Sequence, residues 1–126
     1  MKVILVNGSV HEHGCTDRAE QEIAKELNKN GIETVSFWVG KNPIPDSLVQ
    51  KEGSVEGEKK VKDFLALAKE AQGFVFGSPV YYANANGQLL SFMNRVFYGI
   101  PASYYEGKVA IGITSARRAG VVAAVD

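Results

Sequence analysis

Three short apolar runs constrain what this chain can fold into. Lys2–Asn7 (KVILVN), the GFVF run from Gly73 to Phe76 and Lys108–Thr114 (KVAIGIT) are nearly continuous in hydrophobic residues. An antiparallel surface strand alternates apolar and polar residues, whereas a strand covered on both faces does not, so these runs read as buried strands of a parallel sheet. A further strand is expected over Glu33–Val39 (ETVSFWV). Parallel neighbours need crossovers, and the intervening segments have helical periodicity. Ala19, Ile23, Ala24 and Leu27 share one face, Val61, Phe64, Leu65 and Ala68 a second, and Leu89, Phe92, Met93, Val96 and Phe97 a third.

Thr16 or Asp17 is the expected cap of the first helix, Asp17 and Glu20 having a loose capping-box spacing, and Gly31 after Asn30 is the expected stop. Gly40 to Gly57 has no clear periodicity and is too long for a simple connector. At Gly77-Ser78-Pro79 the third strand should end, because proline offers no N–H to a ladder and drives the preceding residue toward extended geometry. The order β-α-β-α-β-α-β predicts an α/β, doubly wound parallel sheet with right-handed crossovers and strand order 2-1-3-4. The loops after the first, third and fourth strands then share one rim, and the first and third flank the switch point where such sheets bind ligands.

Composition excludes several classes. With 126 residues and 45% hydrophobic content, the chain reads as one folded domain. Its 14 basic and 14 acidic residues cancel, so no net field favours nucleic acid or an anionic membrane. No apolar run reaches the roughly 20 residues of a membrane span, and Met1-Lys2 leads into a strand without a signal-peptide core. A cytoplasmic location is the resulting expectation. Cys15 is the single cysteine, which excludes an internal disulfide.

The loops carry the chemistry. Ser9 to Thr16 leads into a helix N-terminus, where free backbone N–H groups and the positive end of the dipole favour a phosphate. The hydroxyls of Ser9 and Thr16, the backbone at Gly14 and the His11 imidazole are candidate donors; the competing reading is that Ser9 and Thr16 only cap turn and helix. Neither a Walker loop nor G-x-G-x-x-G is present, which argues against a nucleoside triphosphate or a dinucleotide bound in the usual way. His11 and His13 lack a third ligand for zinc. After the third strand, Tyr81, Tyr82 and the run Ala83 to Gly87 suit a flat, partly polar ligand. Tyr98, Tyr104 and Tyr105 form an aromatic loop suited to a neighbouring subunit.

Taken together, GSVHEHGCT, GSPVYYANANGQLLSFMNR and SARRAG resemble the NAD(P)H-dependent FMN reductase family, in the branch that includes the iron–sulfur flavoproteins, a group with the flavodoxin-like fold. The resemblance runs along essentially the whole chain. It implies that Ser9, His11, Cys15 and Thr16 surround the FMN phosphate, His11 standing where relatives usually have arginine. It implies that Pro79, Val80, Tyr81, Tyr82 and Asn84 follow the isoalloxazine and ribityl chain, and that Ser115, Arg117 and Gly120 close the far side of the ring. No metal site is implied. Two departures stand out. The segment after the second strand has no cysteine where iron–sulfur relatives carry cluster ligands, so no iron–sulfur cluster is expected. Relatives also continue to a fifth strand and last helix, so the domain over residues 1–126 reads as incomplete at its C-terminus, either a fragment or a chain whose strand edge and apolar helix faces a partner covers.

The expected activity is FMN-dependent oxidoreduction, with NAD(P)H as donor and a quinone, flavin, metal ion or protein as acceptor. The cofactor carries the chemistry and no side chain is an obligatory acid or base; backbone N–H groups from Pro79 to Tyr82 would meet flavin N5 or O4. The expected assembly is a homo-oligomer, with no nucleic acid partner and no membrane insertion. The alternatives are a non-enzymatic flavodoxin-like electron carrier, which the balanced charge disfavours, and a degenerate binding module that has lost the cofactor.

Overall fold

The structure, a computed structural model, describes residues 1–40, 55–80, 85–97 and 100–116, with the backbone alone given for 55–58. In chain order the elements are β1 (Lys2–Asn7), α1 (Cys15–Lys29), β2 (Glu33–Trp38), α2 (Val55–Glu70), β3 (Gly73–Pro79), α3 (Gly87–Phe97), a 3₁₀ turn (Ala102–Tyr104) and β4 (Val109–Ser115). The described strands form one parallel sheet in the order β2-β1-β3-β4, the expected flavodoxin-like arrangement.

The side-chain alternation of each strand sorts the core into two layers. Ile4, Val6, Phe74 and Phe76 face α2 and α3, where they meet Phe64, Ala68, Leu89, Phe92 and Val96. Leu5 and Val75 face the other way, onto Ala24 of α1, with Val3, Ile23 and Ile113 at the margin. Both faces of β1 and β3 are therefore buried, which is why their sequences do not alternate. The larger layer is built on aromatic edges: Phe64 and Phe92 meet edge-to-face at 4.9 Å, and Phe37 approaches Phe64 at 5.5 Å. Phe92 has no exposed surface, so Phe92→Ala is expected to lower unfolding free energy by about 3–5 kcal/mol in urea titrations.

Three local expectations are corrected. Helix α1 begins at Cys15 with Gly14 at the N-cap and no side-chain cap, so neither Thr16 nor Asp17 fills that position. β3 ends at Pro79, within the expected Gly77-Ser78-Pro79 stop, because a proline at the last position beside Ser115 of β4 removes no inner ladder bond. Among the described residues β4, read as buried, is the outermost strand, with Val109 and Ile111 68% and 48% exposed. Tyr105, read as a surface aromatic, packs on Phe74 and Phe97 at 5.7 and 4.6 Å and donates its hydroxyl to the Val96 carbonyl. Burial, with Tyr104 beside it, pushes the Tyr105 hydroxyl pKa upward. Gly31 does end α1 as expected, with φ 75°. Among the described residues no helix is long and apolar enough to cross a membrane.

Candidate functional site

Parallel strands all end on one rim, and the loop that follows β1 is already shaped there by its own short-range hydrogen bonds. Asn7 accepts the Ser9 N–H on Oδ1 at 2.9 Å and donates through Nδ2 to the Glu12 carbonyl at 3.0 Å. Ser9 Oγ accepts the His11 N–H at 3.1 Å, and the Gly14 N–H reaches the His11 carbonyl at 3.4 Å. Side chains that bond backbone two residues onward hold a tight turn in this way. The Ser9 hydroxyl, its oxygen engaged by His11, keeps its own hydrogen for a ligand.

Two other strands clamp the loop. Gly8 N–H donates to the Gly77 carbonyl of β3 at 2.9 Å. On the opposite side Trp38 Nε1 donates to the Ser9 carbonyl at 2.7 Å. Asn86, one residue before α3, links the first and third loops. Its Nδ2 donates to the Gly8 carbonyl, its Oδ1 accepts from the Leu89 N–H at 3.2 Å and the Ser78 hydroxyl at 3.3 Å, and its N–H donates to Ser78 Oγ at 2.9 Å. The third and fourth loops are joined by the Val80 N–H, which donates to the Ser115 carbonyl at 2.9 Å. That bond occupies Val80, correcting the expectation that its N–H is free for a flavin ring atom.

At the head of α1 the first intrahelical bond runs from Arg18 N–H to the Gly14 carbonyl at 3.0 Å. Among the described residues no acceptor meets the N–H groups of Cys15, Thr16 and Asp17. Three convergent donors at the positive end of a 15-residue helix, with the buried hydroxyls of Ser9 and Thr16, fit a phosphate. His11 and Cys15 are exposed at this end and Gly14 is half-buried. Thr16 and Ser115 line one small cleft of about 20 Å³ with Ala19, Ile113 and Thr114, so the first and fourth loops do converge. Pro79 pairs with Ser115 in the sheet. Tyr81, Tyr82, Asn84, Arg117 and Gly120 lie outside the described residues.

Two residues of this site were missed in the sequence. Asn86 was read only as part of a polar run, although an amide before a helical pattern is a capping signal. Glu20 was read as half of a capping box; instead it is 1% exposed beneath α1 and its Oε1 has no hydrogen-bond partner. Burial, and secondarily the charge of Asp17, raises its pKa to about 9, so the carboxyl is neutral at pH 7. Because the folded-state value lies above the ordinary one, Glu20 favours the fold most in acid. That contribution is lost as pH rises from about 4.5 to about 9. Among the described residues no group of three or more His, Cys, Asp or Glu side chains is arranged to hold a metal ion.

A sequence profile of the family described as NADPH-dependent FMN reductase matches residues 1–126. The chain belongs to this FMN reductase family. Among curated relatives, an iron–sulfur flavoprotein of Methanocaldococcus jannaschii is 33% identical over 99 residues, covering 75% of this chain and 51% of the relative. An iron–sulfur flavoprotein of Archaeoglobus fulgidus is 26% identical over 104 residues, covering 79% and 47%. The chain thus spans about half the length of the curated relatives it matches. Among solved structures, an apo NADH:FMN oxidoreductase superposes with TM-score 0.73 at 21% identity, over 99% of this chain and 63% of that one. FerB of Paracoccus denitrificans, an NAD(P)H:acceptor oxidoreductase, has the same TM-score at 14% identity, over 98% and 66%. These superpositions establish the flavodoxin-like fold of the FMN reductase family for this chain.

Proposed function

We propose that this chain is the FMN-holding domain of an oxidoreductase that takes electrons from NAD(P)H and delivers them to a small-molecule or protein acceptor. The observation that carries the reading is the trio of N–H groups at Cys15, Thr16 and Asp17 that meet no acceptor among the described residues, beside the buried Ser9 and Thr16. It is a cradle for one phosphate, and membership of the FMN reductase family supports FMN as its owner. FMN, when bound, supplies the hydride and electron chemistry that no side chain provides.

The residues of the chain bind and orient. Ser9, Gly14, Cys15 and Thr16 hold the phosphate, with His11 adding a donor at the exposed tip. Pro79, Val80, Tyr81, Tyr82 and Asn84 follow the ring and ribityl chain, and Ser115, Arg117 and Gly120 close its far side. Gly77 to Pro79 is tied to the first loop through Gly8 and Asn86, which keeps the ring-facing segment in register with the phosphate cradle. The same proposal has the protein act in the cytoplasm as a homo-oligomer. Among the described residues β4 is the outermost strand, and its exposed Val109 and Ile111 support association through this side of the sheet.

Purified protein titrated with FMN is expected to quench flavin fluorescence with one site per chain, and the bound colour to bleach anaerobically on adding NADPH or NADH. Bleaching by dithionite alone would make the protein an electron carrier. Failure to bind added FMN would overturn the flavin reading altogether.

A further inference from the structure

Glu20 has no part in the phosphate cradle as described, yet the structure makes room for it. It stands one turn after Thr16 on the buried face of α1, over β3 at the level where Gly77 pairs with Asn7 and with Ile113. A Cβ built on Gly77 would lie 2.4 Å from Glu20 Oε1 and 2.7 Å from Thr16 Cγ2. The carboxyl therefore fills a notch that only glycine leaves open, shoulder to shoulder with a cradle residue. Helical side chains lean toward the N-terminus, and about 6 Å of helix axis separates Thr16 from Glu20, so this carboxyl lies just under the N–H groups that would hold a phosphate.

The groups facing it come from every neighbouring element. Asp17 stands one turn earlier on α1, Glu12 and His13 come from the preceding loop, and Asn7 of β1 with Ser36 and Trp38 of β2 completes a cavity of about 420 Å³ that Glu20 also lines. β3 contributes Gly77, which has no side chain. Asp17 is already engaged by His13 at 3.3 Å and Gln21 at 3.1 Å. No ion pair among the described residues includes Glu20.

Building on the FMN reading above, we propose that Glu20 is a positioning residue for the flavin phosphate: as a neutral acid in the Gly77 notch it seats the first turn of α1 on β3, and its ionisation opposes phosphate binding. The balance is one of protons alone. A phosphate dianion at the helix head repels a carboxylate beneath it, so the bound state holds the Glu20 proton more tightly and FMN binding in alkali takes up a fraction of a proton. Like-charge repulsion of this kind in a partly screened setting lowers the affinity roughly tenfold between neutral and alkaline pH.

The test is FMN affinity by fluorescence quenching from pH about 7.5 to about 9.5, a range that brackets the raised carboxyl, with calorimetry in two buffers of different ionisation enthalpy. The wild-type protein is expected to lose roughly tenfold in affinity and to take up protons on binding. Glu20→Gln, a neutral isostere, is expected to match wild type at the lower pH, to stay flat across the range and to take up none. If Glu20→Gln fails to fold, Glu20→Met is read in its place. Wild-type affinity independent of pH, binding without proton uptake, or an equal alkaline loss in the variant would overturn the proposal while leaving the FMN reading intact. Absence of FMN binding to wild type at any pH would overturn both.

Discussion

Gly40→Ala is expected to unfold the end of β2 from the first loop and to abolish FMN binding. A Cβ at Gly40 would lie 1.8 Å from the Ser9 carbonyl oxygen and 2.4 Å from its carbon. Those are backbone atoms, held by the Trp38 indole on one side and by Asn7 through the Ser9 N–H on the other. No rotamer change relieves such a contact, so either the strand end or the loop has to move. The stability loss should be about 4 kcal/mol or more, at the upper end for a single substitution. Urea titration gives the stability, and FMN quenching reports the loop. Gly87→Ala is the matched control: a Cβ there meets nothing within 4 Å, and alanine in the first turn of α3 should gain up to about 1 kcal/mol. A Gly40→Ala protein that kept wild-type stability and FMN affinity would show that the loop and strand end are not in this contact.

Asn86→Ala carries the second large effect. Its amide caps α3 through the Leu89 N–H, donates to the Gly8 carbonyl and accepts from the Ser78 hydroxyl, all at 3% exposure. Loss of the cap costs about 1 kcal/mol, and the stranded Gly8 carbonyl adds about 1–3 kcal/mol because no water replaces the lost partner in a closed pocket. The expected loss of about 2–4 kcal/mol is read from urea titration. FMN affinity should fall as well, since among the described residues the Gly8 to Gly77 backbone bond is then the remaining hydrogen bond between the first loop and the β3 end. Asn86→Asp separates the two roles: a carboxylate still caps α3 but cannot donate to Gly8, so it should retain helix content while losing FMN affinity.

Much of this site is local, and its legibility follows from that. The Ser9 to Thr16 loop is shaped by bonds between residues two to five apart, and the helix it opens has its N-cap at Gly14, two residues before the nearer expected cap, Thr16. Periodicity located the buried strands because coverage on both faces leaves no polar alternation. The same rule misread Lys108–Thr114, since Val109, Ala110 and Ile111 are apolar in a strand that is open at the edge. Asn86 and Glu20 were opaque for another reason. Asn86 bonds a carbonyl 78 residues away, and Glu20 rests on a glycine of β3; a polar residue buried against a distant strand looks, in sequence, like a polar residue in water.

By itself, the order of residues determined the parallel α/β plan, the strand order, the family and the phosphate-shaped turn after β1, because each is written in local pattern or contiguous motif. Only the tertiary structure decided that Asn86 ties Gly8 to the head of α3, that Tyr105 belongs to the core, that Val80 N–H is already spent on Ser115, and that Glu20 is buried against Gly77. Those facts depend on which distant atoms exclude water from a given side chain, and water exclusion is settled by packing across the sheet, which no local run of residues specifies.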